Sequence, residues 1–170
     1  MSTGRALGLR HIGNRALDSL RLEKSYGIWS TEFTQSITPG MCGLDRHVAF
    51  DKGDFIGRDG ALREREDPSA RVLVTLAIAA TDADASGFEP VKLDGRLVGY
   101  TTSGAYGHHV GQSLALAYVD RDVVAAATPA VAAAGATADA ALTVDVIGET
   151  RAARILREAA WDPKGARLRS

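Results

Sequence analysis

Pro90-Val91-Lys92-Leu93-Asp94-Gly95-Arg96-Leu97-Val98-Gly99-Tyr100 sets two alternating arms around an Asp-Gly pair. Asp-Gly supplies the positive φ angles of a type I′ turn, so the stretch predicts a β-hairpin. The same period of two begins upstream. From Arg71, the residues Val72, Val74, Leu76 and Ile78 fall on one face, while Leu73, Thr75 and Ala77 make a less uniformly apolar second face. That pattern predicts a half-buried strand. Downstream, Ser113 to Val119 and Leu142 to Ile147 read as further strands, with a turn at Gly148-Glu149 before a last one from Ala152 to Leu156. Asp82 to Gly87 reads as a loop. Short strands at this spacing predict a small antiparallel barrel or sandwich. Residues 125–141 are alanine-rich, and Pro129 and Gly135 break any long helix there, which predicts a surface connection.

Upstream of residue 71 the period changes to that of a helix. Ile12, Ala16 and Leu20 recur every fourth residue, Leu9 lies one turn earlier, and Leu17 broadens the stripe. Asp18 and Arg21 can pair on the wet face. Three residues beyond Leu20 the stripe meets Glu23, and a carboxylate on an apolar stripe is costly to bury without a partner. Residues 27–57 are punctuated by Gly27, Pro39, Gly40, Gly43, Gly53 and Gly57, which predicts irregular backbone. Trp29, Phe33, Phe50 and Phe55 give this stretch aromatic surface with which to pack down. A short charged helix is expected from Asp59 to Glu66, ended by Pro68-Ser69. The whole is an α+β chain: a helical and irregular part over 1–70, then a β-rich part over 71–170.

Composition excludes several classes. The chain has 170 residues, 45% hydrophobic and 24% charged, an ordinary globular balance. With 20 Lys+Arg against 21 Asp+Glu the net charge is −1, so nothing attracts the whole chain to nucleic acid or to an anionic membrane. Cys42 is the only cysteine, which rules out an internal disulfide and a cysteine-based zinc site. No apolar run is long enough to span a bilayer, and the N-terminus lacks the apolar core of a signal peptide. The expectation is a reduced, cytoplasmic protein with no metal, nucleic-acid or membrane partner.

Three stretches carry a resemblance. Arg15-Ala16-Leu17-Asp18-Ser19-Leu20-Arg21-Leu22-Glu23-Lys24 resembles the A-x-x-S-L-R-L-E segment of the glycine cleavage T-protein (aminomethyltransferase) family. Asp51-Lys52-Gly53-Asp54-Phe55-Ile56-Gly57-Arg58 resembles its D-K-G-D-F-I-G-R segment. Thr102-Ser103-Gly104-Ala105-Tyr106, continuing to Ser113-Leu114-Ala115-Leu116-Ala117-Tyr118-Val119, resembles its T-S-G-x-Y and S-I-A-L-A-Y-V barrel segment. Order and spacing agree along nearly the whole chain. The wording from Tyr26 to Thr34 is similar to the folate domain of dimethylglycine and sarcosine dehydrogenases.

The resemblance implies a partial folate-binding α+β segment over 1–70 and a C-terminal T-protein-type β-barrel over 71–170. It implies one-carbon transfer to tetrahydrofolate, in a split or truncated enzyme of the dimethylglycine/sarcosine dehydrogenase or glycine-cleavage type. The family's catalytic aspartate lies in an N-terminal half without counterpart here, so no catalytic residue is assigned. A protein partner or parent chain would supply that half, and a homo-oligomer is a further expectation. The other reading is a non-catalytic structural or interaction module.

The family's pterin-reading glutamate falls on Glu23. A pterin offers adjacent N–H donors on its pyrimidine edge, which a carboxylate accepts side by side. Tyr26 and Trp29 follow within two turns, and each either offers a face to the flat pterin or packs the irregular segment. Lys52 and Arg169 are either solvated or meet the anionic glutamate tail of folate; Arg169 aligns with a folate-contacting arginine near the family's C-terminus. His108 and His109, adjacent in a Gly-rich turn, would not chelate one metal well and read as turn residues.

Overall fold

The computed structural model describes residues 2–124 and 142–169; the alanine-rich stretch with Pro129 and Gly135 lies outside the described residues. Three helices, α1 (Ser2–Arg5), α2 (Asn14–Glu23) and α3 (Arg58–Glu66), precede six strands. The strands are β1 (Arg71–Ile78), β2 (Pro90–Leu93), β3 (Arg96–Gly107), β4 (Gln112–Asp120), β5 (Leu142–Val146) and β6 (Glu149–Leu156). All pair antiparallel and close a barrel in the order β1-β4-β3-β2-β5-β6. Closure decides between the two predicted architectures and leaves no sheet edge.

The Asp-Gly hairpin forms as predicted. Asp94 and Gly95 take φ +50° and +79°, and Leu93 pairs with Arg96 across the turn. The second two-residue turn is one position earlier than expected. Ile147 and Gly148 occupy it at φ +49° and +77°, and Glu149 is already in β6 opposite Val146. A β-branched residue at positive φ is disfavoured, which is why the sequence did not mark it.

The barrel interior is one apolar cluster built from every strand, including Val74, Leu76 and Ile78 of β1, Val91, Val98, Ala115, Ala117, Val119, Val144 and Ile155. β1 was expected to be half-buried, yet Thr75 and Ala77 on its outer face are buried as well. The cause is a second cluster outside the barrel, where Leu22 of α2 packs on Ala77, Leu114 and Leu116. β4 is covered on both faces for the same reason.

The N-terminal helix differs most from expectation. It starts at Asn14, after Gly13 in an extended conformation, so Leu9 and Ile12 precede it. The predicted stripe does not face the core. Ile12, Leu17 and Leu20 are 67%, 55% and 53% exposed, while Ser19, Leu22 and Glu23 are the buried side. At about 100° per residue these are adjacent arcs of one helix: Leu22, Ser19 and Glu23 on one, Ala16, Leu20 and Leu17 on the next. Periodicity detected an apolar arc but not which arc the barrel would cover.

α2 ends in a hydrogen-bond pattern of the Schellman type. The Tyr26 amide donates to Arg21 O (2.8 Å) and the Ser25 amide to Leu22 O (3.0 Å), with Ser25 at φ +56°. The connection over 27–57 is irregular, as predicted, with one 3-10 turn at Asp45–His47. Phe33, Phe50 and Phe55 are partly buried in it, but Trp29 is 83% exposed and does not pack it down.

Candidate functional site

Glu23 closes α2 and is buried against the β3–β4 turn. Its Oε1 accepts the amide of His109 at 2.6 Å and that of Val110 at 3.3 Å. Its carbonyl accepts the Trp161 amide at 2.9 Å. Gly107 permits this approach, since a Cβ there would stand 3.1 Å from Glu23 Cγ and 2.9 Å from Val110 Cγ2. The sequence had flagged a carboxylate on an apolar arc that needs a partner, and two adjacent backbone N–H groups supply it. His109 stands edge-on to Trp161 (5.3 Å between centroids) and His108 edge-on to Tyr106 (5.2 Å), and no cluster of metal-ligating side chains exists among the described residues.

Beyond Glu23 the chain enters the wall of an open cleft of about 1130 Å³. The cleft lies between the outer face of β1, the segments around Tyr26 and Cys42–His47, the end of β6 and the C-terminal residues. Leu73, Leu116 and Leu156 form an apolar floor, and Tyr26 stands half-exposed at its edge. Lys24, Arg46, His47, Arg157, Lys164 and Arg169 line it, with Glu158 the acid among the lining residues. Lys24 is already engaged: its Nζ donates to Asp162 O (2.7 Å) and lies 3.4 Å from Asp162 Oδ2. Desolvation works against the Asp162 charge, but the amides of Ala166 and Arg167 and the Lys24 ammonium together hold its carboxyl low. Arg169 donates to Lys164 O at 2.8 Å. Cys42 lies in the same cleft, and burial pushes its thiol up, away from the thiolate a nucleophile needs.

The structure therefore brings Tyr26 and Arg169 to one cleft. Glu23 is next to it in sequence, but its carboxylate points to the β3–β4 turn. Trp29 projects outward from the connection, and Lys52 is exposed with its Nζ 4.6 Å from the Phe55 ring centroid. Neither lines the cleft.

Sequence reasoning missed Glu32, which is fully buried. Its Oε1 accepts the hydroxyls of Thr102 (2.7 Å) and Ser103 (2.6 Å), and its Oε2 accepts the Ile28 amide (2.8 Å). The Arg21 guanidinium faces Oε2 at 3.8 Å, and the Tyr118 hydroxyl donates to the Glu32 carbonyl at 2.9 Å. Burial, with Cys42, Glu32 and Tyr100 nearby, raises the Tyr118 pKa, so this phenol stays a neutral donor. Adjacent strand residues normally face opposite ways. Thr102 and Ser103 reach one carboxylate because the β3–β4 register shifts between Thr101 and Ser103, leaving Thr102 as an extra residue. The signal available in sequence was the run of three hydroxyls, Thr101-Thr102-Ser103, in the middle of a strand.

Residues 71–162 match the glycine cleavage T-protein C-terminal barrel domain, and residues 1–52 match the GCVT N-terminal domain. The chain belongs to the glycine cleavage T-protein family. Among its relatives, the mitochondrial dimethylglycine dehydrogenase of Mus musculus is 38% identical over 120 residues, which is 70% of this chain and 14% of that protein. The aminomethyltransferase of Thermoanaerobacter pseudethanolicus is 32% identical over 120 residues, 71% of this chain and 32% of the relative. The crystal structure of glycine cleavage system aminomethyltransferase T from Bartonella henselae superposes with a TM-score of 0.75 at 21% identity. That superposition takes in 95% of this chain and 45% of the other, and it shows the T-protein fold. The chain thus spans about a seventh of the dehydrogenase and a third of the aminomethyltransferase.

Proposed function

We propose that this T-protein family member is a tetrahydrofolate-binding module of a one-carbon transfer enzyme, the later part of a unit completed by further T-protein sequence. The observation that carries the reading is the cleft. It joins an apolar floor, the aromatic edge of Tyr26 and a surplus of cations ending in Arg169. A flat heteroaromatic ligand with an anionic tail matches that combination. In this reading Arg169 meets the glutamate tail and Tyr26 flanks the ring.

Glu23 is the pterin reader by descent, and its present partners bear on that role. The amides of His109 and Val110 offer it two adjacent N–H donors, as a pterin edge would. Ligand and turn compete for one carboxylate, so binding releases the turn. Trp29 and Lys52 lie outside the cleft and take part only if further T-protein sequence extends the site to them.

Calorimetry with tetrahydrofolate on the full chain tests the proposal. Wild type should give a binding heat that weakens in Arg169→Ala and Tyr26→Ala, and the His109 and Val110 amides should lose hydrogen-exchange protection on saturation. A chain that gives no heat, or variants that bind as wild type does, would sink it. Binding with those two amides still protected would leave Glu23 a structural residue only.

A further inference from the structure

α2 carries an apolar face that the rest of the described chain does not use. Ala16, Leu17 and Leu20 form one arc, and Ile12 stands at its approach, all exposed. The barrel takes the neighbouring arc of Ser19, Leu22 and Glu23, so α2 cannot turn Leu17 and Leu20 inward without pulling Glu23 from the β3–β4 turn. Leu7 and Leu9, also exposed, extend the apolar surface toward the N-terminus. The exposed Arg5 and Arg10 lie in the stretch that leads to α2, and neither makes an ion pair among the described residues.

Every one of these residues lies within the 1–52 match to the GCVT N-terminal domain, and the solved T-protein carries more than twice the polypeptide that this chain superposes on. An apolar arc preceded by unpaired cations is suited to a complementary surface of apolar side chains accompanied by carboxylates. We propose that the Leu17–Leu20 face of α2 is the seat of the upstream part of the T-protein N-terminal domain, which presents such a surface. This rests on the reading of the chain as the later part of a larger T-protein unit, and it does not require that the cleft bind folate.

The test uses the full chain and, as probe, the part of mouse dimethylglycine dehydrogenase that precedes the stretch matched here. Sedimentation velocity of the mixture should show a one-to-one complex. The double variant Leu17→Glu/Leu20→Glu should weaken it by about tenfold or more. Ile147→Glu, at the exposed β5–β6 turn, should leave it unchanged. An unaltered melting curve of the double variant shows that the exchange disturbs only the surface. The proposal is overturned if wild type forms no complex with the probe or if the double variant binds equally well. It is overturned too if wild type alone sediments as a dimer that the double variant converts to monomer, because a second copy then owns the face. Tetrahydrofolate calorimetry on the same samples reads the cleft separately, so a complex that forms without any folate heat counts against the folate reading alone.

Discussion

The barrel and the segment before it are held by opposite means. The barrel closes its hydrogen-bonded ladder on itself around an apolar cluster drawn from every strand. Between Thr3 and Ala70, Leu22 is the one fully buried apolar side chain. Glutamates take the place of a core there. Glu23 holds the end of α2 to the β3–β4 turn, and Glu32 ties the Tyr26–Phe33 loop to β3 and β4. Glu64 of α3 accepts from the Thr38 and Ser69 hydroxyls and the Gly40 amide. Apolar burial is non-directional and tolerates slippage, whereas these contacts fix single loops at single points. The segment bearing Tyr26 and lining the cleft is thus pinned rather than packed.

Glu32→Ala should break the contrast most sharply. It strands the buried Ser103 hydroxyl and the Ile28 amide, while Thr102 keeps Leu116 O and Arg21 keeps Asp18, a loss of about 2–5 kcal/mol for the two unsatisfied donors. The loss should be local. Denaturant unfolding monitored at Trp29 should shift early while the far-UV signal of the barrel keeps its midpoint; a single concerted shift would mean that segment and barrel form one cooperative unit. A smaller effect of opposite sign is expected from Ser25→Gly. Ser25 sits at φ +56° with a buried hydroxyl that has no partner, and glycine removes both defects. Stability of the segment should rise by about 1 kcal/mol in the same denaturant assay. The smallest effect is absent at neutral pH and comes from acid. Glu64 and Glu89 both lose solvation on burial, but hydrogen bonds outweigh this and hold their carboxyls below the ordinary 4.5. Their contribution is complete above about pH 4.5 and is lost as pH falls through the depressed folded values, because the unfolded chain takes up protons first. Hydrogen exchange at Gly40 and Met41, beside Glu64, should quicken before exchange at Ser86 and Gly87, which Glu89 clamps on the barrel.

The same contrast explains what was legible in the sequence. Strands β1 to β6 and the Asp94-Gly95 turn follow from alternation and turn chemistry, both local properties. The direction of α2 was not legible, because both of its arcs suit burial and the choice is made by β3 and β4, more than eighty residues away. Within the site, Glu23 stood out as a carboxylate on an apolar arc, and its two amide partners lie in a turn whose position depends on the closed barrel. Glu32 had no periodic context at all. Its partners meet only after the β3 bulge turns Thr102 and Ser103 to one side, and a bulge leaves no composition of its own.

That bulge acts on β3 as a frameshift acts on a message. From Gly99 to Thr101 the inward and outward residues alternate in one phase against β4, and from Ser103 onward in the other. Deleting Thr102 would restore a regular ladder with Ser103 still opposite Leu116, at the expense of one of the two hydroxyls that Glu32 accepts. Substitutions in β3 can be weighed one side chain at a time, but a change in its length away from Thr102 cannot, because it turns over every face beyond it.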